Sequence, residues 1–448
     1  MSAGMDFDVQ GGAGGTDAQF QDLSTLGDAS EDLAATLAGI SAACHAMLVD
    51  PDVLASVVLD PGGFADFEGK LLGALDGSHG LTGLSVTLGT RALALQTVAL
   101  GYQAADAAQA ELMDALHWSA GYLAGTFWPV TLLAAAGLGF AHRDDWQEWL
   151  TEHPGMVDWA AGGAPGLAAS FGLPVGGLQT AAGLMGSLYA DGEGVVTAET
   201  TSTDEVMLRP PTGFGDLMDA LSFRDDAPTD DRDQIDVRVV TQPDGSRAYI
   251  VDIPGTSDWN VMPDPVQENP ETSDLGTNLR VLAGQSTARE QAISDALHLA
   301  GADSQAPVML VGHSQGGMVA AQAAADSGTS AFDYNVTHVL TAGSPIARAD
   351  IPDDVQVLAL ENEGDVVPHL DAADNPDSAN ITTVTFDAQH HDVGMNHDPG
   401  RSYVPAAEAL DGSTDPSVQA YRDSAGAFLT APGETPTLEA HVFDLERR

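Results

Sequence analysis

The stretch that most constrains this chain is Pro307-Val308-Met309-Leu310-Val311. It is followed by Gly312-His313-Ser314-Gln315-Gly316-Gly317 and then by MVAAQAAA. An unbroken apolar run of this length reads as a strand, and the small-residue run after it reads as a helix. Joining the two through G-x-S-x-G leaves a tight elbow with Ser314 at its apex. The apex backbone is strained, and the flanking glycines relieve its crowding. The helix start below it offers N–H groups and the positive dipole end to an oxyanion. The pattern alone is weak in a chain with 49 glycines. The strand before it and the helix after it separate it from a plain turn.

A serine hydroxyl needs an imidazole base, and the base needs a carboxylate to set its tautomer. With a nucleophile elbow, acid and then base follow the serine in the chain. Asp365 lies just past the apolar run VQVLALEN and a glycine, where an acid faces such a site. Glu361, Glu363 and Asp371 are its near rivals. The later histidines are His369, His390, His391, His397 and His441. His369 is very close to the acid. His397, in MNHDPGRSY, is the favoured base, with His391 and His390 open as alternatives. The segment HHDVGMNHD also offers metal-ligand types in His390, His391, Asp392, His397 and Asp398. A triad already accounts for a histidine there, so no metal is assigned. The oxyanion hole is expected from the backbone N–H of Gln315 and of Thr256. Thr256 sits in Pro254-Gly255-Thr256 after the run Arg247–Ile253, where the alternative is a plain turn.

Around this motif, short β-rich runs alternate with helical ones, the pattern of an α/β fold with a mostly parallel sheet. Ile235–Thr241 and Arg247–Ile253 flank a PDG turn and read as a hairpin at the sheet edge. A helix is expected from about Thr277 to Leu299. Strands are expected at Val308–Val311, Val336–Ala342, Val355–Leu360 and Ile381–Phe386, with a closing helix near Pro416–Phe428. The front half differs. From Asp22 to Leu116, apolar and Ala positions recur at three- and four-residue spacings, giving a long helical hairpin with short helices at its tip. The expected divisions are therefore a flexible Gly-rich 1–16, a helical hairpin 17–117 and an apolar Gly/Ala-rich region 118–196. A linker 197–234, a catalytic domain 235–430 and a tail 431–448 follow.

Residues 118–141 and 159–190 carry no charge at all. Their length would span a bilayer, and Gly121/Gly125 and Gly172/Gly176 have the small-xxx-small spacing of membrane helices. Their Gly, Ala and Pro content, with Pro129, Pro165 and Pro174, speaks for a buried cap instead. Both readings stay open, so membrane contact through 118–190 is carried as an expectation. With 15 Lys and Arg against 66 Asp and Glu, the net charge is -51, which repels nucleic-acid phosphates. No nucleic-acid partner is expected. The acid excess reads as a solubilising surface; no calcium loop stands out. The single Cys44 excludes an internal disulfide and a Cys-based zinc cluster. MSAGMDFDVQGGAGG has neither a basic nor an apolar signal region, so no conventional signal peptide is expected.

In these residues the chain resembles the class 3 lipases of the α/β-hydrolase superfamily. Pro254-Gly255-Thr256 resembles that family's oxyanion strand end. Gly312-His313-Ser314-Gln315-Gly316-Gly317 resembles its GHSLGG elbow, with Gln315 where Leu is usual. Thr341-Ala342-Gly343-Ser344-Pro345 resembles its glycine–x–proline turn, and Asp365-Val366-Val367-Pro368 its D-x-V-P acid loop. His397 followed by Tyr403 resembles its closing pair at a looser spacing. The resemblance covers about residues 235–410. It implies a carboxylic ester hydrolase, acting on small-molecule or lipid esters through Ser314, His397 and Asp365, with no cofactor. The helical hairpin is loosely similar to type VII secretion substrates. Tyr102-Gln103-Ala104-Ala105-Asp106 fits their Y-x-x-x-[DE] signal, but the W-x-G turn is absent. Two further readings stand beside the esterase: a lipase effector exported by that route rather than a cytoplasmic enzyme, and a catalytically inactive binding module.

Overall fold

The fold is that of a computed structural model describing residues 5–77, 79–128, 131–132, 135, 142, 145–173, 175–190, 192–226, 233–259 and 269–448. Two compact units are present: Thr16–Gln109, and Met1–Gly15 together with Ala110–Arg448. In the first, helix Thr16–Met47 and the part of helix Leu81–Thr126 up to Gln109 are joined through Pro51–Ser56 and Pro61–Asp76. Both short helices start on an aspartate cap with proline at the first position. Asp50 accepts from Asp52 N and Val53 N, and Asp60 from Gly63 N. The long helices meet through small residues: Ser85 Oγ donates to Ala34 O, and Ser41 Oγ lies 2.8 Å from Thr82 Oγ1. The motif Tyr102–Asp106 falls inside the second long helix; its side chains lie outside the described residues.

The second unit is built on a nine-stranded sheet. The strands are β1 Phe7–Gly11, β2 Gly194–Thr201, β3 Gln234–Thr241, β4 Arg247–Ile253 and β5 Pro307–His313. They continue with β6 Asn335–Ala342, β7 Gln356–Asn362, β8 Ile381–Phe386 and β9 Thr437–Arg447. Their order is β1-β8-β7-β6-β5-β4-β3-β9-β2. The run β4 to β8 is parallel; β1, β3, β9 and β2 pair antiparallel at its two sides. The fold class is therefore α/β with a mostly parallel sheet, after a helical region.

β5 shows why its sequence is continuously apolar. Val308 and Leu310 enter one buried cluster, beneath helices Ala288–Leu299 and Gln315–Ala325. Met309 and Val311 enter a second on the opposite face, with helices Phe214–Asp225 and Val404–Leu410. Period-two alternation thus serves two cores at once.

Five sequence expectations are corrected. The Gly-rich start is not a free arm, because Phe7–Gly11 pairs with β8. Gly11 and Gly12 have φ near +69° and +67°, and a Cβ at Gly11 would collide with the Ile381 carbonyl. Those glycines serve close approach, not mobility. The linker 197–234 contains most of β2 and the buried helix Phe214–Asp225; the Thr-rich stretch is an edge strand, whose exposure made it read as linker. The tail 431–448 supplies β9, which lies between β3 and β2. The β3–β4 hairpin is consequently internal. The helix expected over Thr277–Leu299 is two, Leu275–Leu282 and Ala288–Leu299, broken at Gly284, whose φ is +70°.

In the apolar region, helices Gly155–Ser170 and Leu178–Gly186 pack within the sheet unit, against Pro368–Asp371 and Leu275–Leu282 respectively. Much of the uncharged run 118–141, like Pro174, lies outside the described residues. Among the described residues, no helix is long and apolar enough to cross a membrane.

Three buried Arg–Asp pairs brace the sheet unit among the described residues: Arg224–Asp236, Arg238–Asp252 at 2.6 Å and Arg447–Asp274 at 2.7 Å. Arg238 and Asp252 are fully buried, and burial pushes the Asp252 carboxyl up to about 6 against the pull of its arginine. Asp252→Ala would leave a buried guanidinium uncompensated. It should lower unfolding stability by about 3–5 kcal/mol in urea titration.

Glu290 is another buried acid. Burial and then the charge of Asp326 push its carboxyl up to about 8. The folded value lies above the unfolded one. Its contribution is therefore full below the unfolded value and is lost as pH rises toward 8. Glu290→Gln should raise Tm progressively more between pH 5 and pH 8.5. The gain at the alkaline end should be about 1–3 kcal/mol, read by thermal melts across that range.

Candidate active site

Parallel pairing puts the C-terminal ends of β4 to β7 on one sheet edge, where open α/β sheets place their sites. β4 ends in Pro254-Gly255-Thr256, β5 in Ser314, β6 in Gly343-Ser344-Pro345, and β7 leads to Asp365. The segment after β8 brings His397, the last residue of the short helix Val393–His397.

The elbow is dictated by crowding. Ser314 stands at φ 54° and ψ −121°, a conformation that non-glycine residues rarely adopt. A Cβ at Gly312 would collide with the Gly316 backbone, one at Gly316 with the Ile253 carbonyl, and one at Gly317 with Ser344 Oγ. The three glycines let β5, β4 and the following helix close on the serine. Ser314 N donates to Ala342 O at 3.0 Å.

His397 Nδ1 lies 2.7 Å from Asp365 Oδ2. Tyr403 Oη donates to the same oxygen at 2.6 Å, and Val367 N donates to Asp365 Oδ1 at 3.0 Å. Asp365 is fully buried, and burial pushes its carboxyl up. The charge and hydrogen bond of His397, then the Tyr403 and Val367 donors, more than offset this and hold it below its ordinary value. An ionised acid on Nδ1 sets the tautomer that leaves Nε2 as acceptor. Asn362 Nδ2 ties the segment carrying His397 to β7 by donating to Asn396 Oδ1 and O, both at 2.9 Å.

Ser314 and His397 line one cavity of about 230 Å³ with Thr256, Trp259, Asp225 and His313. At its back, Gly255 N donates to Asp225 Oδ1 at 2.7 Å, so that N–H is spent. Thr256 is the next donor along the chain, and its Oγ1 is fixed by Asn278 Nδ2 at 3.0 Å. Gln315 opens the helix, where geometry gives the first N–H groups no intrahelical acceptor. Its side chain points away from this role. Nε2 donates to Asp274 O, and Oε1 accepts from the buried Arg289.

The rival residues sit elsewhere. His369 pairs with Asp158 at 2.9 Å, His391 lies 3.5 Å from Glu148, and His441 meets Glu199 on the β9–β2 side. His390 lines a separate cleft of about 960 Å³ with Glu361 and Glu363. Asp371 accepts from Ala347 N. Among the described residues, no group of three or more His, Cys, Asp or Glu stands close enough to hold a metal.

Some of these contacts had no signal in the sequence. Asp225 lies in an acidic run with nothing to mark it. His313 occupies a variable place in the motif. Asn362 and Asn396 could have been suspected only from knowing that β7 and the base segment touch.

Residues 269–400 match the family model of the PGAP1-like alpha/beta domain. The sheet unit is accordingly of the α/β-hydrolase type. The matched span includes Ser314, Asp365 and His397 and stops short of Thr256 and Tyr403. No curated protein and no solved structure matches the chain.

Gly343, at φ 59°, backs directly onto the Asp365–His397 pair. A Cβ there would stand 2.7 Å from Asp365 Oδ2, 2.8 Å from Tyr403 Oη and 3.1 Å from His397 Nδ1. Gly343→Ala should displace that pair and slow fluorophosphonate labelling of Ser314 at least ~100-fold while the protein stays folded by circular dichroism.

Proposed function

We propose that this chain is a serine hydrolase that cleaves carboxylic esters through an acyl-enzyme on Ser314. The observation that carries the reading is the 2.7 Å Asp365–His397 contact at the rim of the cavity that holds Ser314. Ser314 Oγ attacks the ester carbonyl as His397 Nε2 takes its proton. The oxyanion is met by the N–H groups of Gln315 and Thr256. The tetrahedral adduct collapses, the ester C–O bond breaks, and His397 returns the proton to the leaving alcohol. Water, deprotonated by the same imidazole, then releases the acid. Asp365 stays ionised throughout and orients the base.

The cavity supports a short acyl group, with the remainder of the substrate lying outward past the half-exposed Trp259. The class 3 lipase resemblance favours a lipid ester. Fluorophosphonate should label the wild-type protein at Ser314, mapped by peptide mass, and fail with Ser314→Ala. Asp365→Asn and His397→Ala should slow turnover of a short p-nitrophenyl ester by about 10³-fold or more. A folded wild type that neither labels nor turns over would leave the inactive binding module as the reading.

A second reading, membrane contact, is favoured by where tryptophan falls. Five of the six tryptophans lie between Trp118 and Trp159, and Trp128, Trp146 and Trp159 are about half exposed. Half-exposed tryptophan suits a lipid–water interface. The intact protein should sediment with phosphatidylcholine vesicles and shift its tryptophan emission to the blue. Trp128→Ala with Trp146→Ala should weaken both. Unchanged emission would remove this reading.

A further inference from the structure

Two imidazoles meet at the proposed base, and only one of them is free to take a proton from serine. His313, the residue before Ser314, is buried. Its Nδ1 lies 3.2 Å from Asp225 Oδ1, and its Nε2 lies 2.8 Å from the main-chain carbonyl of His397. The two rings are 4.5 Å apart between centroids. A carbonyl has no hydrogen to give. Asp225 is also ionised: burial opposes this, but His313, the Gly255 N–H and His397 hold its carboxyl down to about 2. Both ring nitrogens of His313 therefore face pure acceptors, and both must carry protons. His313 is an imidazolium and no rival base. Asp225 Oδ1 also accepts the N–H of Gly255, beside the serine.

We propose that Asp225 and His313 form a second acid–imidazole pair that positions the base: Asp225 keeps His313 doubly protonated, and His313 Nε2–H holds the main chain of His397 in place. The same carboxylate holds Gly255 and so the strand end that carries Thr256. This rests on the serine-hydrolase reading, and both residues are positioning residues, not catalytic ones.

The charged and titratable groups facing His313 come from every element around it. Asp225 and Asp226 end one helix, Asp365 comes from the loop after β7, and His397 and Tyr403 come from the closing segment. Arg224 lines the same cavity. Three carboxylates in this set favour the protonated ring. Were His313 to lose a proton, keeping Nδ1–H on Asp225, its Nε2 lone pair would face the His397 carbonyl lone pairs. The clamp would open and the base segment would loosen. An acid that keeps the ring charged is therefore part of the device.

The test is the second-order rate of fluorophosphonate labelling at Ser314 in the full chain from pH 5 to pH 10. It compares wild type, Asp225→Asn, His313→Gln, His313→Phe and Asp225→Asn with His313→Gln. The wild-type rate should rise as the base deprotonates and stay level to about pH 9. Asp225→Asn should add an alkaline fall near the ordinary imidazole range, about 6.5, reaching about 10-fold by pH 9. A Gln amide donates without titrating, so His313→Gln should stay within about threefold of wild type and abolish the fall in the double variant. His313→Phe, with no donor, should label about 10- to 100-fold more slowly at every pH. Melting curves check that each variant is folded. If Asp225→Asn follows the wild-type profile, or folded His313→Phe labels as fast as wild type, the clamp is wrong and the hydrolase reading stands. If the folded wild type does not label at all, the hydrolase reading falls and the clamp with it.

Discussion

Everything at the sheet edge depends on how closely β5, β4 and the helix after Ser314 can approach. A methyl group at Gly312, Gly316 or Gly317 would meet backbone or Ser344 within a forbidden distance. That crowding holds Ser314 at positive φ and lifts its side chain into the cavity. The strain persists because strands on both sides over-determine it. β4 supplies the Thr256 loop, and β6 supplies Gly343, against which the acid–base pair rests.

The charges of the sheet unit follow the same logic of compensation. Three buried arginines are matched to buried aspartates on neighbouring strands and helices, and the Arg447–Asp274 match ties together parts of the chain far apart in sequence. Arg447, near the end of β9, meets Asp274. The Asp274 side chain also caps a helix, and its carbonyl receives Gln315 Nε2. The last strand is thereby linked, through one aspartate, to Gln315, the residue beside Ser314. Asp225 and His313 work on a smaller scale: one carboxylate accepts the Gly255 N–H and lies beside His313 Nδ1, while His313 Nε2 lies against the main-chain carbonyl of His397.

Sequence and structure part company where a local pattern has two physical uses. Glycine means freedom in a linker and close contact in a packed turn. Residues 11–12 look like the first and are the second. A run of threonines is polar enough for a linker and β-branched enough for an edge strand; β2 uses the latter property. Gly284 is a single residue, yet its left-handed backbone divides what reads as one helix.

By itself the sequence determined the α/β character and the strand–turn–helix elbow at Ser314. Each of these is written in short-range chemistry: apolar runs, small residues and turn glycines. Which of five later histidines reaches Asp365 was decided by tertiary structure alone. It depends on where the segment after β8 returns across β7, on Asn362 gripping Asn396, and on Gly343 leaving room for His397 Nδ1. The places of β1, β2 and β9 in the sheet were likewise decided by long-range pairing. Strand partners far apart in the chain leave no local mark on either strand.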